Sequence, residues 1–177
     1  MSILDIGGGF PAGELSKKTV EALKPTEQDE LKFKVIAEPG RHFSSRCFYL
    51  LTRILGKRIK GGKPCYHINE SLYHSFNCTL MDGVSFENSS DQFYSKIDER
   101  KEPSAIFETK NSTLFGMTCD GMDIITKSIS IPIEAQVGDW LCFNGMGAYT
   151  HGCRSNFNGM TSTERIIRWP TVVHEEE

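Results

Sequence analysis

The chain has 177 residues, a formal net charge of -3, a pI near 6.0, and 24% charged and 38% hydrophobic residues. That length suits one globular domain with its own core and falls short of a complete large α/β barrel, which takes about 250 residues. The mildly acidic balance gives no electrostatic reason for a nucleic acid or anionic membrane partner. No apolar run has transmembrane length, and no basic-then-apolar leader opens the chain, so the expectation is a soluble, cytoplasmic protein that works on small molecules or other proteins.

In chain order, Ser2–Gly7 reads as a strand whose short apolar run, Ile3, Leu4 and Ile6, stops at Gly7, Gly8 and Gly9. Glu14–Lys24 follows as a short helix with Leu15, Val20 and Leu23 on one side and Pro25 ending it. Phe33–Ala37 is a second strand, left sharply through Glu38-Pro39-Gly40-Arg41. Strand, helix, strand is one βαβ unit and implies a parallel pairing. Ser45–Ile59 is too uniformly apolar and basic for periodicity to assign, but its β-branched and aromatic content and the Gly61-Gly62 turn favour a strand.

Beyond it, short β-type segments recur at Cys65–Ile68, Phe76–Met81, Ala105–Phe107, Asp123–Ser130, Trp140–Phe143 and Ile166–Trp169, separated by turn residues. This spacing predicts an antiparallel sandwich or barrel. Asn88–Lys101 reads as a polar surface loop or short helix, and Glu175-Glu176-Glu177 as a solvated end. Cys47, Cys65, Cys78, Cys119, Cys142 and Cys153 contain no CxxC pair, so neither a zinc site nor a disulfide framework is indicated, and most read as small buried hydrophobes.

Three stretches carry chemistry, each with a plainer alternative. Gly7-Gly8-Gly9 lets backbone N–H groups converge on an anion, or is only a turn; Glu38 and Arg41 at the next strand end add a carboxylate and a guanidinium at the same sheet edge. Thr118-Cys119-Asp120-Gly121 sets a thiol beside a carboxylate, or is a tight Asp-Gly turn with a packed cysteine. Trp140–Thr150 runs from a strand into a glycine-rich loop ending near Tyr149, a residue ordinarily explained by packing and one hydrogen bond.

Taken together, LDIGGGFP at Leu4–Pro11, IAEPGR at Ile36–Arg41, SFNC at Ser75–Cys78, TCDGMD at Thr118–Asp123, GDW at Gly138–Trp140, MGAYT at Met146–Thr150 and FNG at Phe157–Gly159 stand in the order of one family. The chain closely resembles the C-terminal part of the eukaryotic-type ornithine decarboxylases, which use pyridoxal phosphate. The resemblance implies a fold: the last two β/α units of an α/β barrel over residues 1–44, then an antiparallel β-sandwich or barrel domain over residues 45–177.

The resemblance also implies roles. Gly7, Gly8 and Gly9 would offer amides to the cofactor phosphate within a cradle completed by Pro39 and Gly40, Arg41 would neutralise its charge, and Tyr149 would add a hydroxyl. Glu38 would keep the pyridine nitrogen protonated. Cys119 would return a proton to the α-carbon after decarboxylation, from across a head-to-tail dimer interface. Asp82 and, like Cys119 from across that interface, Asp120 would hold the distal ammonium of L-ornithine, with Met81 and Phe157 lining the pocket.

Met81 stands where the family has tyrosine, and His74 where it has glycine; His74 reads as an ordinary polar surface or loop residue. Nothing in the chain matches the family's Schiff-base lysine block, and Lys17, Lys18, Lys24, Lys32 and Lys34 lie in polar settings. The expectation is a portion of an ornithine decarboxylase that is inactive alone. The alternatives are a non-catalytic partner of a full-length decarboxylase, resembling antizyme inhibitors, or part of a lysine or arginine decarboxylase. Antizyme inhibitors tend to lack the thiol that Cys119 provides.

Overall fold

The computed structural model describes residues 3–10, 21, 34–86, 92–95, 108–161 and 165–168, with backbone alone for 92–95 and 165–168. The helix expected at Glu14–Lys24 lies outside them except for Glu21, as do the strand expected at Ala105–Phe107, the Glu175–Glu177 tail and all the weighed lysines but the exposed Lys34.

Strands β1 (Ile3–Asp5) and β2 (Lys34–Ile36) pair in parallel, Leu4 opposite Val35. All six of their residues are exposed. Two strands alone cannot cover the two faces that a parallel sheet normally buries. A short helix, α1 (Gly40–Ser44), and a 3₁₀ turn (Ser45–Cys47) lead into β3 (Phe48–Lys60).

The long strand β3 organises everything after it. Leu50, Thr52 and Ile54 are buried while Arg53 and Leu55 are exposed, the period of two expected of a half-buried strand. Its first half pairs with β8 (Trp140–Phe143) and β9 (Arg165–Arg168), and its second half with β4 (Lys63–Ile68). Between them the register shifts at Ile54/Gly56, a bulge that lets one strand serve two sheet segments and curls the whole. Gly61 and Gly62, at φ +58° and +76°, form the hairpin turn between Lys60 and Lys63, a left-handed pair that glycine adopts without strain.

Strands β6 (Thr109–Phe115) and β7 (Ile124–Pro132) are antiparallel, but β4 pairs with β6 in parallel, so the sheet is mixed and not the wholly antiparallel one expected. The described strand order is β5-β8-β3-β4-β6-β7, with β9 beside β3. Its concave side holds the core, where Phe76, Phe86 and Phe143 meet edge to face at 4.9–5.8 Å. Among the described residues no helix is long and apolar enough to cross a membrane.

Two further expectations fail here. Phe76–Met81 is not a strand: Asn77–Met81 is helix α2, closed by the Asp82 amide bonding to the Cys78 carbonyl at 3.0 Å. Its apolar residues resemble a strand, but Asn77 is buried and donates to the Thr150 carbonyl at 3.2 Å, a tertiary demand that overrides local propensity. Within Asn88–Lys101, Gln92–Ser95 forms strand β5 on the edge of β8. Its Phe93 and Tyr94 stand within a stretch otherwise polar and charged, which is why composition alone suggested a loop.

Candidate functional site

The loops after β1 and β2 close on each other backbone to backbone. The Gly7 amide donates to Asp5 Oδ1 at 2.8 Å, and the Glu38 amide to the Gly7 carbonyl at 2.8 Å. A Cβ at Gly8 would lie 2.8 Å from the Glu38 carbonyl oxygen, so only glycine permits this approach. Pro39 caps α1, whose first residue Gly40 lies where a Cβ would meet the Tyr149 hydroxyl at 3.6 Å.

Arg41 ties these loops to the β domain. Its guanidinium lies 4.9 Å from the Tyr149 ring centroid and 3.2 Å from Asp82 Oδ2. The two side chains of that ion pair are 22% and 27% exposed, so it is worth at most about 1 kcal/mol and either partner exchanges cheaply to a ligand. Tyr149 itself is held at φ +54°, a left-handed position rare for a non-glycine residue. A pocket of about 390 Å³ opens beside it, lined by Phe48, Met146, Gly147, Thr150 and His151, a size that suits small molecules. Met81 ends α2 beside Asp82 and is 80% exposed.

A second cluster forms on the loop between β6 and β7. Asp120 accepts a 2.5 Å hydrogen bond from the Tyr73 hydroxyl, and the Met122 amide donates to it at 2.9 Å. The Tyr73 bond, then the Met122 amide, hold the Asp120 carboxyl below its usual 3.8, and the same carboxylate raises the Tyr73 phenol above 10.0. Phe157 stacks on the Tyr73 ring with centroids 4.1 Å apart, and the Asn158 amide donates to Cys119 Sγ at 3.3 Å. Cys119 is exposed.

Residues that the sequence did not single out build much of this cluster. Asp123, buried on the loop, accepts from Ser71 Oγ, the Leu72 amide, the Thr118 amide and Thr118 Oγ1 at 2.7–3.0 Å. Its place in TCDGMD was the available signal. Tyr73 likewise stood next to SFNC, but nothing local indicates that its hydroxyl reaches a loop 47 residues away. His74 is a correction: it is fully buried, not at the surface. Cys47, Cys119 and Cys153 are exposed, so only Cys65 and Cys78, with Cys142 partly covered, fit the buried reading. Burial pushes the Cys78 and Cys142 thiols up to about 11.

A curled mixed sheet presenting a thiol-carboxylate loop, joined through an arginine to two glycine-lined strand ends, is the architecture of a decarboxylase sheet domain. A family model described as the pyridoxal-dependent decarboxylase C-terminal sheet domain matches residues 16–147, and the chain belongs to that family. The ornithine decarboxylase of Nicotiana glauca, named as chloroplastic, is 39% identical over 92% of this chain. Antizyme inhibitor 2 of Xenopus laevis is 35% identical over 90%. The agmatine-bound arginine decarboxylase of Paramecium bursaria Chlorella virus superposes with a TM-score of 0.71 at 33% identity, over 90% of this chain and 42% of that one. The chain spans 38% and 37% of the length of the two curated relatives.

The family implies pyridoxal phosphate, and the strand-end loops fit it. Gly7 and Gly9, where a Cβ would meet nothing within 4 Å, and the Arg41 guanidinium leave backbone and positive charge, without side-chain bulk, where a phosphate would dock.

Proposed function

We propose that this chain forms the C-terminal part of a pyridoxal phosphate-dependent decarboxylase site for a basic amino acid, with L-ornithine as the substrate and putrescine as the product. The observation that carries this reading is the convergence of Arg41, Tyr149 and Asp82, drawn from three separate segments onto the glycine-lined strand ends. Residues 1–44 are then the last two β/α units of a barrel, and residues 45–177 the sheet domain. The wholly exposed β1–β2 pair supports this, since a barrel would cover both its faces.

The cofactor, when bound, supplies a protonated ring that withdraws electrons as carbon dioxide leaves. The chain's own residues do the rest. Arg41 and the Tyr149 hydroxyl bind the phosphate with the amides of Gly8 and Gly9, while Gly7, whose amide is engaged by Asp5 Oδ1, shapes the turn. Glu38 holds the proton on the ring nitrogen. Asp82 and Asp120 take the substrate's distal ammonium, two carboxylates favouring a cationic tail over a neutral one. Cys119 delivers a proton to the α-carbon, and in a head-to-tail dimer it serves the partner subunit's cofactor. Because no lysine here occupies a matching block, the chain needs a lysine-bearing barrel segment to complete turnover.

Fluorescence titration with pyridoxal phosphate tests the cradle. The reading predicts non-covalent binding that Arg41→Ala weakens by about tenfold or more, the scale of one charge-assisted contact. Binding indifferent to Arg41→Ala contradicts it. Borohydride treatment is expected to trap no cofactor, whereas a single specifically modified lysine would overturn the inactive-alone reading.

The similarity to antizyme inhibitor 2 supports a second reading, a non-catalytic partner of a full-length decarboxylase. Co-expression separates the two, since a partner alters the activity of the enzyme with which it co-purifies.

A further inference from the structure

His74 and Glu70 are both fully buried. The imidazole Nε2 lies 3.0 Å from the Met160 carbonyl oxygen. A carbonyl only accepts, so Nε2 carries the proton and donates. The other ring nitrogen, Nδ1, lies 4.0 Å from Glu70 Oε2 and has no hydrogen-bond partner among the described residues. Glu70 Oε2 in turn accepts the Ser75 amide at 3.1 Å, which fixes it to the same loop.

Met160 closes a tight turn. Its amide donates to the Phe157 carbonyl at 3.1 Å, the Gly159 amide donates to the Asn156 carbonyl at 3.0 Å, and Asn158 between them sits at φ +57°. Asparagine is among the few non-glycine residues that take this left-handed backbone readily. From there the Asn158 side chain reaches Cys119 Sγ at 3.3 Å, and the adjacent Phe157 ring stacks on Tyr73. Ser155 anchors the same segment by donating its amide and its hydroxyl to the Tyr73 carbonyl, each at 2.9 Å. His74 holds the Met160 carbonyl from the core.

We infer that His74 is a positioning residue that locks the Phe157–Met160 turn and thereby holds the Asn158 amide on the Cys119 thiol. A residue without a side chain at position 74 could not reach Met160, so the thiol geometry depends on this buried ring. The inference deepens the proton-delivery role proposed for Cys119 and rests on that reading for its significance. Its geometry stands without it.

Iodoacetamide labelling of the purified full chain, read cysteine by cysteine by mass spectrometry, tests it without cofactor or turnover. Cys47 and Cys153 are exposed and report the reagent; Cys65 and Cys78 are buried and report unfolding. The thiolate is the form that iodoacetamide alkylates, and an N–H aimed at sulfur favours that form. His74→Gly is therefore expected to lower the Cys119-to-Cys47 labelling ratio by about threefold, the scale of one lost hydrogen bond partly offset by sulfur nucleophilicity. Asn158→Ala should lower it equally, and the double variant no further, because both act on one contact. His74→Gln, which keeps a donor at the Nε2 position, should restore the wild-type ratio.

An unchanged ratio in His74→Gly with Cys65 and Cys78 still protected overturns the inference. So does an unchanged ratio in Asn158→Ala, or a fall in His74→Gln as large as in His74→Gly. Should His74→Gly expose Cys65 and Cys78, the glutamine and Asn158 variants decide the matter alone. None of these outcomes bears on decarboxylation, so failure here leaves the proposed function standing, and failure of that function leaves this contact measurable.

Discussion

Asp123 does more for the candidate site than any residue proposed to touch substrate. It fastens the cysteine loop to the Ser71–Leu72 turn through two donors there and closes the loop on itself through two from Thr118, while Gly116 leaves room for it; a Cβ at Gly116 would lie 2.2 Å from the Asp123 carboxylate. Asp123→Ala strands those donors and should lower stability by about 3 kcal/mol in urea denaturation, given that a hydrogen bond to a charged group contributes 1.5–3. A loss below about 1 kcal/mol would show that water replaces the carboxylate.

The Tyr73–Asp120 bond makes a pH-dependent contribution at the same scale. Asp120, with its folded value depressed, contributes above pH 3.8 and loses that contribution as pH falls through the folded value. Tyr73, with its folded value raised, contributes below pH 10.0 and loses it as pH rises through the folded value. The stability advantage of wild type over Tyr73→Phe should thus be flat between pH 3.8 and 10.0 and shrink outside that window. Denaturation midpoints of the two proteins across pH measure it, and an advantage that varies steadily within the window contradicts the bond. Motif composition pointed to Cys119 and Asp120, but not to Asp123, Asn158 or buried His74, whose partners lie far along the chain.

Elements whose pattern is self-contained were legible. The Gly61-Gly62 hairpin and the parallel β1–β2 pairing each follow from a few neighbouring residues, and β-branched and aromatic content marked β3 as a strand where its periodicity did not. Elements set by distant demands were not, among them α2, which turns to bury Asn77 against Thr150, and β5, an edge strand inside a polar stretch. The join between the N-terminal loops and the sheet depends on a contact of this second kind. At Gly147 a Cβ would lie 1.8 Å from the Ser44 carbonyl, and the Gly147 amide donates to the Ser45 carbonyl at 3.0 Å. Gly147→Ala must force backbone apart, so it should cost about 3 kcal/mol, at the upper end of overpacking, and weaken pyridoxal phosphate binding by moving α1 away from Tyr149. Gly152→Ala, where a Cβ meets nothing within 4 Å, is the matched control and should change neither midpoint nor affinity. Equal effects from the two would place the join elsewhere.

At the scale of the molecule, the sheet domain was legible in outline because short strands and turns repeat along the chain, yet its register shifts in the β3–β4 and β6–β7 pairs were not. The proposed site divides into a phosphate cradle at the strand ends and a thiol-carboxylate loop, and in the proposed dimer the second half serves the partner's cofactor. The thiol-carboxylate half can be tested by complementation. The chain is co-expressed with a full-length relative, such as the Nicotiana glauca ornithine decarboxylase, whose corresponding cysteine is replaced by alanine. Carbon dioxide release from L-ornithine is then measured. The account predicts that the wild-type chain restores release and that a Cys119→Ala chain does not. Release no greater with the wild-type chain than with Cys119→Ala would contradict it.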